Sequence, residues 1–184
     1  MGFATQGVRA GLLLLGAVGA ASASIADDVA AKRENQLKAA YLFNFMKFVE
    51  WPASAASDTI EICFVGAQGV HDSLETTTAD KRVGDRRVVV RTLIDGAQGE
   101  PCAVIYFDEN ASHTNSALLQ SARATALTVS DARDFTRSGG VIRLFTDQNK
   151  LRFVVNVENA KRAGLRISSN LLKLASSVEQ ESAP

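Results

Sequence analysis

Cysteine, proline, histidine and tryptophan are all scarce in this chain: 184 residues include two cysteines, three prolines, two histidines and one tryptophan. Two cysteines cannot build the multi-bridge framework of a small secreted scaffold. Cys63 and Cys102 also lack the spacing of a zinc site, so no metal is expected. With three prolines and thirteen glycines the composition excludes collagen-like and low-complexity disordered classes. Neither sign of charge is in excess, since twenty Lys and Arg face twenty Asp and Glu. Without a basic field to displace counterions from a polyanion, nucleic acid is not an expected partner.

Catalytic patterns are missing too. The chain has no G-x-S-x-G elbow, no H-E-x-x-H, no P-loop and no C-x-x-C. His71 and His113 each sit where a surface helix is expected to begin, and a histidine-based hydrolase would need them to meet at a nucleophile. Asp108, Glu109 and the stretch from Asp131 to Asp134 follow expected strand ends. Carboxylates there can bind ligands, and they can equally cap helices. No cofactor and no catalytic residue is expected from these patterns.

What is present begins with a leader. Arg9 precedes an apolar run from Ala10 to Ala21, and small residues follow through Ala23. About a dozen apolar residues are too short for a spanning helix, which takes roughly 20, and the layout is that of a secretory signal peptide covering residues 1–23. The exported chain then consists of a polar segment, 24–36, one domain, 37–176, and a flexible tail, 177–184. Both cysteines lie in or beside apolar runs of the exported part. They are either bridged or two buried thiols, and an oxidising compartment favours the bridge.

Leu37, Tyr41, Leu42, Phe45, Met46, Phe48 and Val49 recur at spacings of three and four, which predicts a largely buried helix ended by Trp51-Pro52. Strands are predicted over Thr59–Val65, Arg87–Leu93, Cys102–Phe107 and Ala126–Val129, with helices around Val70–Thr77 and Ser112–Ala124 between them. Val141–Phe145 and Leu151–Val157 are joined too closely for a parallel crossover and predict an antiparallel hairpin. A short helix over Glu158–Ala163 and a last one capped by Ser169 complete the reading. The fold class is α/β: a three-layer sandwich around a mostly parallel sheet with one C-terminal antiparallel hairpin.

Three places could attract an anion: the glycines Gly66 and Gly69, the pair Gly139-Gly140, and Arg166, Ser168 and Ser169 before the last helix. The third is the best of them, because it joins a fixed charge to hydroxyls at a helix start. Trp51 could stack on a flat ligand or fill the core. The ligand candidates are therefore Trp51, Arg166, Ser168 and Ser169, and the hairpin arginines Arg143 and Arg152 are candidates for contact with a partner.

The stretch Lys38-Ala-Ala-Tyr-Leu-Phe-Asn-Phe-Met-Lys-Phe-Val-Glu-Trp-Pro52 resembles the opening signature of the YfiR-like family of exported bacterial proteins. Gly139 to Phe145, Leu151 to Asn156, Ala160 to Ser169 and Leu171 to Leu174 are similar to its closing pattern. The resemblance implies a periplasmic repressor that binds the periplasmic sensor region of an inner-membrane diguanylate cyclase, lowering cyclic di-GMP and biofilm formation. It also implies sequestration by an outer-membrane lipoprotein, and a homodimer. Cys63 and Cys102 match one of the two bridges of its best-known member, and the second pair is absent. The alternative reading is a periplasmic sensor or carrier of a small ligand, coupled to another membrane receptor.

Overall fold

Helix α1 spans Gly19–Phe48 and leads into the two-residue strand β1, Val49–Glu50. In this computed structural model the residues described, besides Gly2, are 19–52, 57–93 and 102–180. Most of the expected leader, residues 1 and 3–18, lies outside them.

The segment 24–36, read from sequence as a polar piece ahead of the helix, belongs to α1. It is rich in alanine and free of glycine and proline, so helix propensity is high, while its residues from Ile25 on are mostly exposed and leave no apolar period to read. No described helix is long and apolar enough to cross a membrane.

Strand β2, Thr59–Val65, has the bounds expected from sequence, and α2, Gln68–Thr78, follows it. Next come β3, Arg82–Val83; β4, Arg86–Thr92; β5, Val104–Phe107; α3, Glu109–Thr114; α4, Ser116–Ala122; and β6, Leu127–Ser130. The single helix expected over Ser112–Ala124 is thus two. The cap at its start is Asp108, whose carboxylate accepts from the amide of Ala111. His113 therefore lies in the last turn of α3 and not at a helix start.

The hairpin forms as expected from β7, Ile142–Asp147, and β8, Lys150–Asn156. Its two turn residues, Gln148 and Asn149, both have positive φ, the geometry that matches the twist of a two-residue hairpin. The chain closes with α5, Val157–Arg162; β9, Arg166–Ile167; α6, Ser169–Leu174; and β10, Ser177–Glu179. Ser168 is the residue that caps α6. Its backbone is extended and its hydroxyl accepts from Leu171, whereas Ser169 already lies in the helix. The tail expected to fray from Ser177 instead adds a parallel strand to β8, because the sheet edge offers unpaired backbone groups.

Eight strands make the main sheet in the order β10-β8-β7-β6-β5-β2-β4-β3. The pairs β4-β2, β2-β5, β5-β6 and β6-β7 are parallel, while the hairpin and β3 run antiparallel to their neighbours. Both faces are covered. Ile60, Ile62 and Phe64 of β2 face a core shared with α1, α2 and α6, including Leu42, Phe45, Met46, Leu74 and Leu171. Cys63 and Val65, one residue out of step, face a second core with Ala111, Leu119, Ala122 and Phe135. That alternation produces the three layers.

Candidate functional site

The strand order reverses between β2 and β5, the place where open α/β sheets usually leave a crevice beyond the strand ends. Here Asp108 fills it. One carboxylate oxygen accepts from Ala67 at 3.2 Å and the other from Ala111 at 2.5 Å. Gly66, at φ +74°, gives this carboxylate its room, since a Cβ there would collide with it. Asp108 is engaged as a cap and loop tie.

Beside it lies an array that sequence reasoning did not assemble. Lys38 of α1 donates to Asp131, after β6, at 2.7 Å and pairs with Glu34 one helical turn back at 2.8 Å. Tyr106 of β5 donates to the same Asp131 oxygen at 3.2 Å. Burial opposes the charge on Lys38, but the hydrogen bonds and charges of Asp131 and Glu34 outweigh it and hold the ammonium above its ordinary range. Burial pushes the Tyr106 phenol upward, and the neighbouring negative charge of Asp131 adds to it. At neutral pH Lys38 is thus a cation and Tyr106 a neutral phenol, both bonded to Asp131. It ties α1 to the sheet, and neither Lys38 nor Tyr106 is poised for proton transfer. His71 is mostly covered, edge-on to Phe64 with 5.4 Å between ring centroids and with Nδ1 3.0 Å from Asp72. It is less exposed than its place near a helix start suggested.

The sequence-predicted ligand residues gather at the end of α1. β1 pairs antiparallel with β9, bringing Val49 opposite Ile167 and Glu50 opposite Arg166, and Ser168 donates its amide to Phe48. This two-stranded sheet joins the two motif-bearing stretches. Arg166 is exposed, 3.7 Å from Glu50, and borders a 370 Å³ cavity with Val157, Leu165, Ile167 and Leu172. Trp51 is half-buried beside the core, its indole N–H donating to Ala103 at 3.2 Å. Its ring faces Arg86 at 5.9 Å. Ser168 is spent on its cap, and Ser169 starts α6. Arg166 is therefore the candidate that lines open space.

The hairpin residues divide as well. Arg143 stacks on Phe145 of its own strand, 4.7 Å from the ring centroid. Arg152 pairs with Asp147 at 3.0 Å and lines a 450 Å³ groove with Leu37, Tyr41, Leu151, Phe153 and Leu174. Leu37 and Leu174 are exposed, at 44% and 70%. Large apolar side chains bordering one groove are the usual mark of a contact surface. Tyr41 holds the groove's floor through its hydroxyl, which donates to the Leu151 carbonyl at 2.9 Å. The groove needs α1, the hairpin and α6 together, so only Arg152 was legible beforehand.

Cys63 and Cys102 form a disulfide with their Cα atoms 5.9 Å apart, tying β2 to the segment before β5. Among the described residues no group of three or more His, Cys, Asp or Glu side chains converges as a metal site would require.

Comparison with known proteins agrees with this architecture. No curated protein matches the chain. A crystal structure of a conserved domain protein from Vibrio cholerae O1 biovar El Tor str. N16961 is similar, with a TM-score of 0.52 at 14% identity. The similarity covers 77% of this chain and 60% of that one, so the chain spans about three-fifths of its relative's length and the likeness is one of fold. The sequence pattern of the family described as YfiR/HmsC-like, DUF4154, matches residues 35–176, the stretch that holds α1's buried half, both cores and the β1–β9 pair. The chain belongs to the YfiR/HmsC-like family.

Proposed function

We propose that the chain is a periplasmic repressor that binds the sensor region of an inner-membrane diguanylate cyclase and acts through the groove between α1, the hairpin and α6. The family is one of periplasmic regulators of cyclic di-GMP signalling, a regulatory rather than a catalytic family. The observation that carries the choice of surface is the pair of exposed leucines, Leu37 and Leu174, bordering one groove. Lys150 and Arg152 on the same groove favour a partner segment with an apolar centre and acidic flanks. Holding the cyclase needs only mass action, so removing the repressor releases activity. Sequestration by an outer-membrane lipoprotein and self-association through the same groove extend the proposal.

The test is calorimetry between the full chain and the cyclase's periplasmic region, with Leu174→Asp and Arg152→Glu as variants. Binding should weaken at least about tenfold in Leu174→Asp and less in Arg152→Glu, with far-UV dichroism unchanged. Unaltered affinity in both variants would remove the groove from the proposal. Unchanged cyclic di-GMP after deletion of the gene would remove the repressor role itself.

A second reading rests on the 370 Å³ cavity beside Arg166, whose fixed charge and apolar wall suit a small carboxylate with an apolar side chain. Here Arg166→Ala should abolish heat with aromatic amino acids and leave the partner interaction intact. No heat with the unaltered chain refutes it.

A further inference from the structure

The cleft between the β6–β7 loop and α5 differs from both sites above. It has a volume of about 340 Å³, and three guanidiniums line it: Arg123 from the end of α4, Arg137 from the loop and Arg162 from the last turn of α5. Among the described residues that line it the one carboxylate is Glu158, paired with Lys161 at 2.6 Å. The lining is therefore positive in a chain with no net charge.

The arginines are placed by built contacts. Asn159 is buried; its amide donates to the carbonyls of Thr136 at 2.9 Å and Gly140 at 2.8 Å, fixing the loop against α5. Its oxygen accepts from Arg162 at 2.8 Å, turning that side chain along the cleft wall. Arg123 lies across Gly139, where φ is +96° and a Cβ would strike the guanidinium. It donates to the Ser138 carbonyl and to Gln120, while its Nε is buried without a hydrogen-bond partner. The Arg137 side chain is 82% exposed and lies 3.8 Å from Asp134. Like charges held together at a fixed site repel, and guanidiniums answer oxyanions with paired donors. The cleft is larger than one phosphate needs and lies at the lower end of small-molecule sites.

We infer that this cleft binds a small multivalent oxyanion, one bearing phosphate groups or clustered carboxylates, with Arg162 and Arg123 holding it and Arg137 closing over it. The site goes beyond the repressor reading and shares no residue with the groove.

The experiment is calorimetry and thermal denaturation of the full chain at constant ionic strength, with inorganic pyrophosphate and citrate as probes. Saturable heat and a raised Tm with at least one probe are expected, pyrophosphate alone marking the phosphate class and citrate alone the polycarboxylate class. Arg137→Ala, at an exposed position, should leave the ligand-free Tm unchanged and weaken binding about tenfold, as loss of a charge-assisted contact does. Arg162→Gln should weaken it further. No saturable heat with either probe at millimolar concentration overturns the proposal, as does wild-type affinity in Arg137→Ala. So does sedimentation with phosphatidylglycerol vesicles when neither free probe binds.

Discussion

The two faces of the main sheet are held by different means. One is covered by the long α1 together with α2 and α6, and its core contains Phe45, Met46, Phe64, Tyr106 and Phe153, with Tyr41, Phe45 and Phe153 meeting edge-to-face at 5.1 to 5.9 Å. The other is covered by α3 and α4, of six and seven residues, and its core is largely alanine and short aliphatics around Phe107 and Phe135. The disulfide belongs to this thinner face. Where apolar area is ample the chain relies on burial; where it is scarce a covalent tie constrains the unfolded state. The positive cleft borders the thinner face through Arg123, and the apolar groove borders the thicker one through Tyr41 and Phe153.

The contrast is broken most strongly from the thick face. Phe45→Ala removes a ring that is 1% exposed and in contact with two other rings, and should cost about 3–5 kcal/mol in urea denaturation. A cost no greater than that of Phe135→Ala would mean that the faces do not differ in packing. Next is the staple. Replacing Cys63 and Cys102 by alanine opens a bridge of sequence separation 39 and should cost up to about 4 kcal/mol, with any affinity carried by the proposed groove kept, because the groove lies on the other face.

The smallest effect sharpens the comparison by pH, through the Lys38–Asp131–Tyr106 array that joins α1 to the sheet. The folded pKa of Lys38 lies above the unfolded value of 10.5, so its contribution is whole below that pH and is lost as pH climbs through the folded value. Tyr106 likewise keeps its proton in the folded state above the ordinary value of 10.0, and its contribution is lost as pH rises past the point where the unfolded phenol ionises. The urea midpoint should therefore be insensitive to these groups between pH 7 and about 9.5 and fall above pH 10. Tyr106→Phe should flatten part of that fall. An unflattened profile would show that the Tyr106 phenol does not contribute to it.

Much of the framework was legible from local pattern. β2 has the predicted bounds, and the hairpin follows from two apolar runs with a short connection between them. The alternation within Ile60 to Val65 sends residues to opposite faces, as the pleat requires. What escaped had no period to betray it. The two-residue strands β1 and β9 are too short for a pattern, yet their pairing aligns the family's opening and closing stretches. The exposed half of α1 has no apolar face, and β10 is a polar segment recruited by an open sheet edge. Among the candidate residues, Arg152 and Arg166 line open space, while Ser168 and Trp51 are occupied by a cap and a backbone carbonyl.

By itself the sequence determined the layered α/β class and the buried half of α1, because residue type and spacing decide which surfaces must leave water. It determined that any disulfide within the chain joins Cys63 to Cys102, there being no other cysteine. Only the tertiary structure decided that Lys38 meets Asp131 across 93 residues, that Leu37 and Leu174 border one groove, and that three arginines from separate elements line one cleft. Each of the charged groups, on its own stretch of chain, would be satisfied by water. Packing of the elements sets the distances at which one charge feels another.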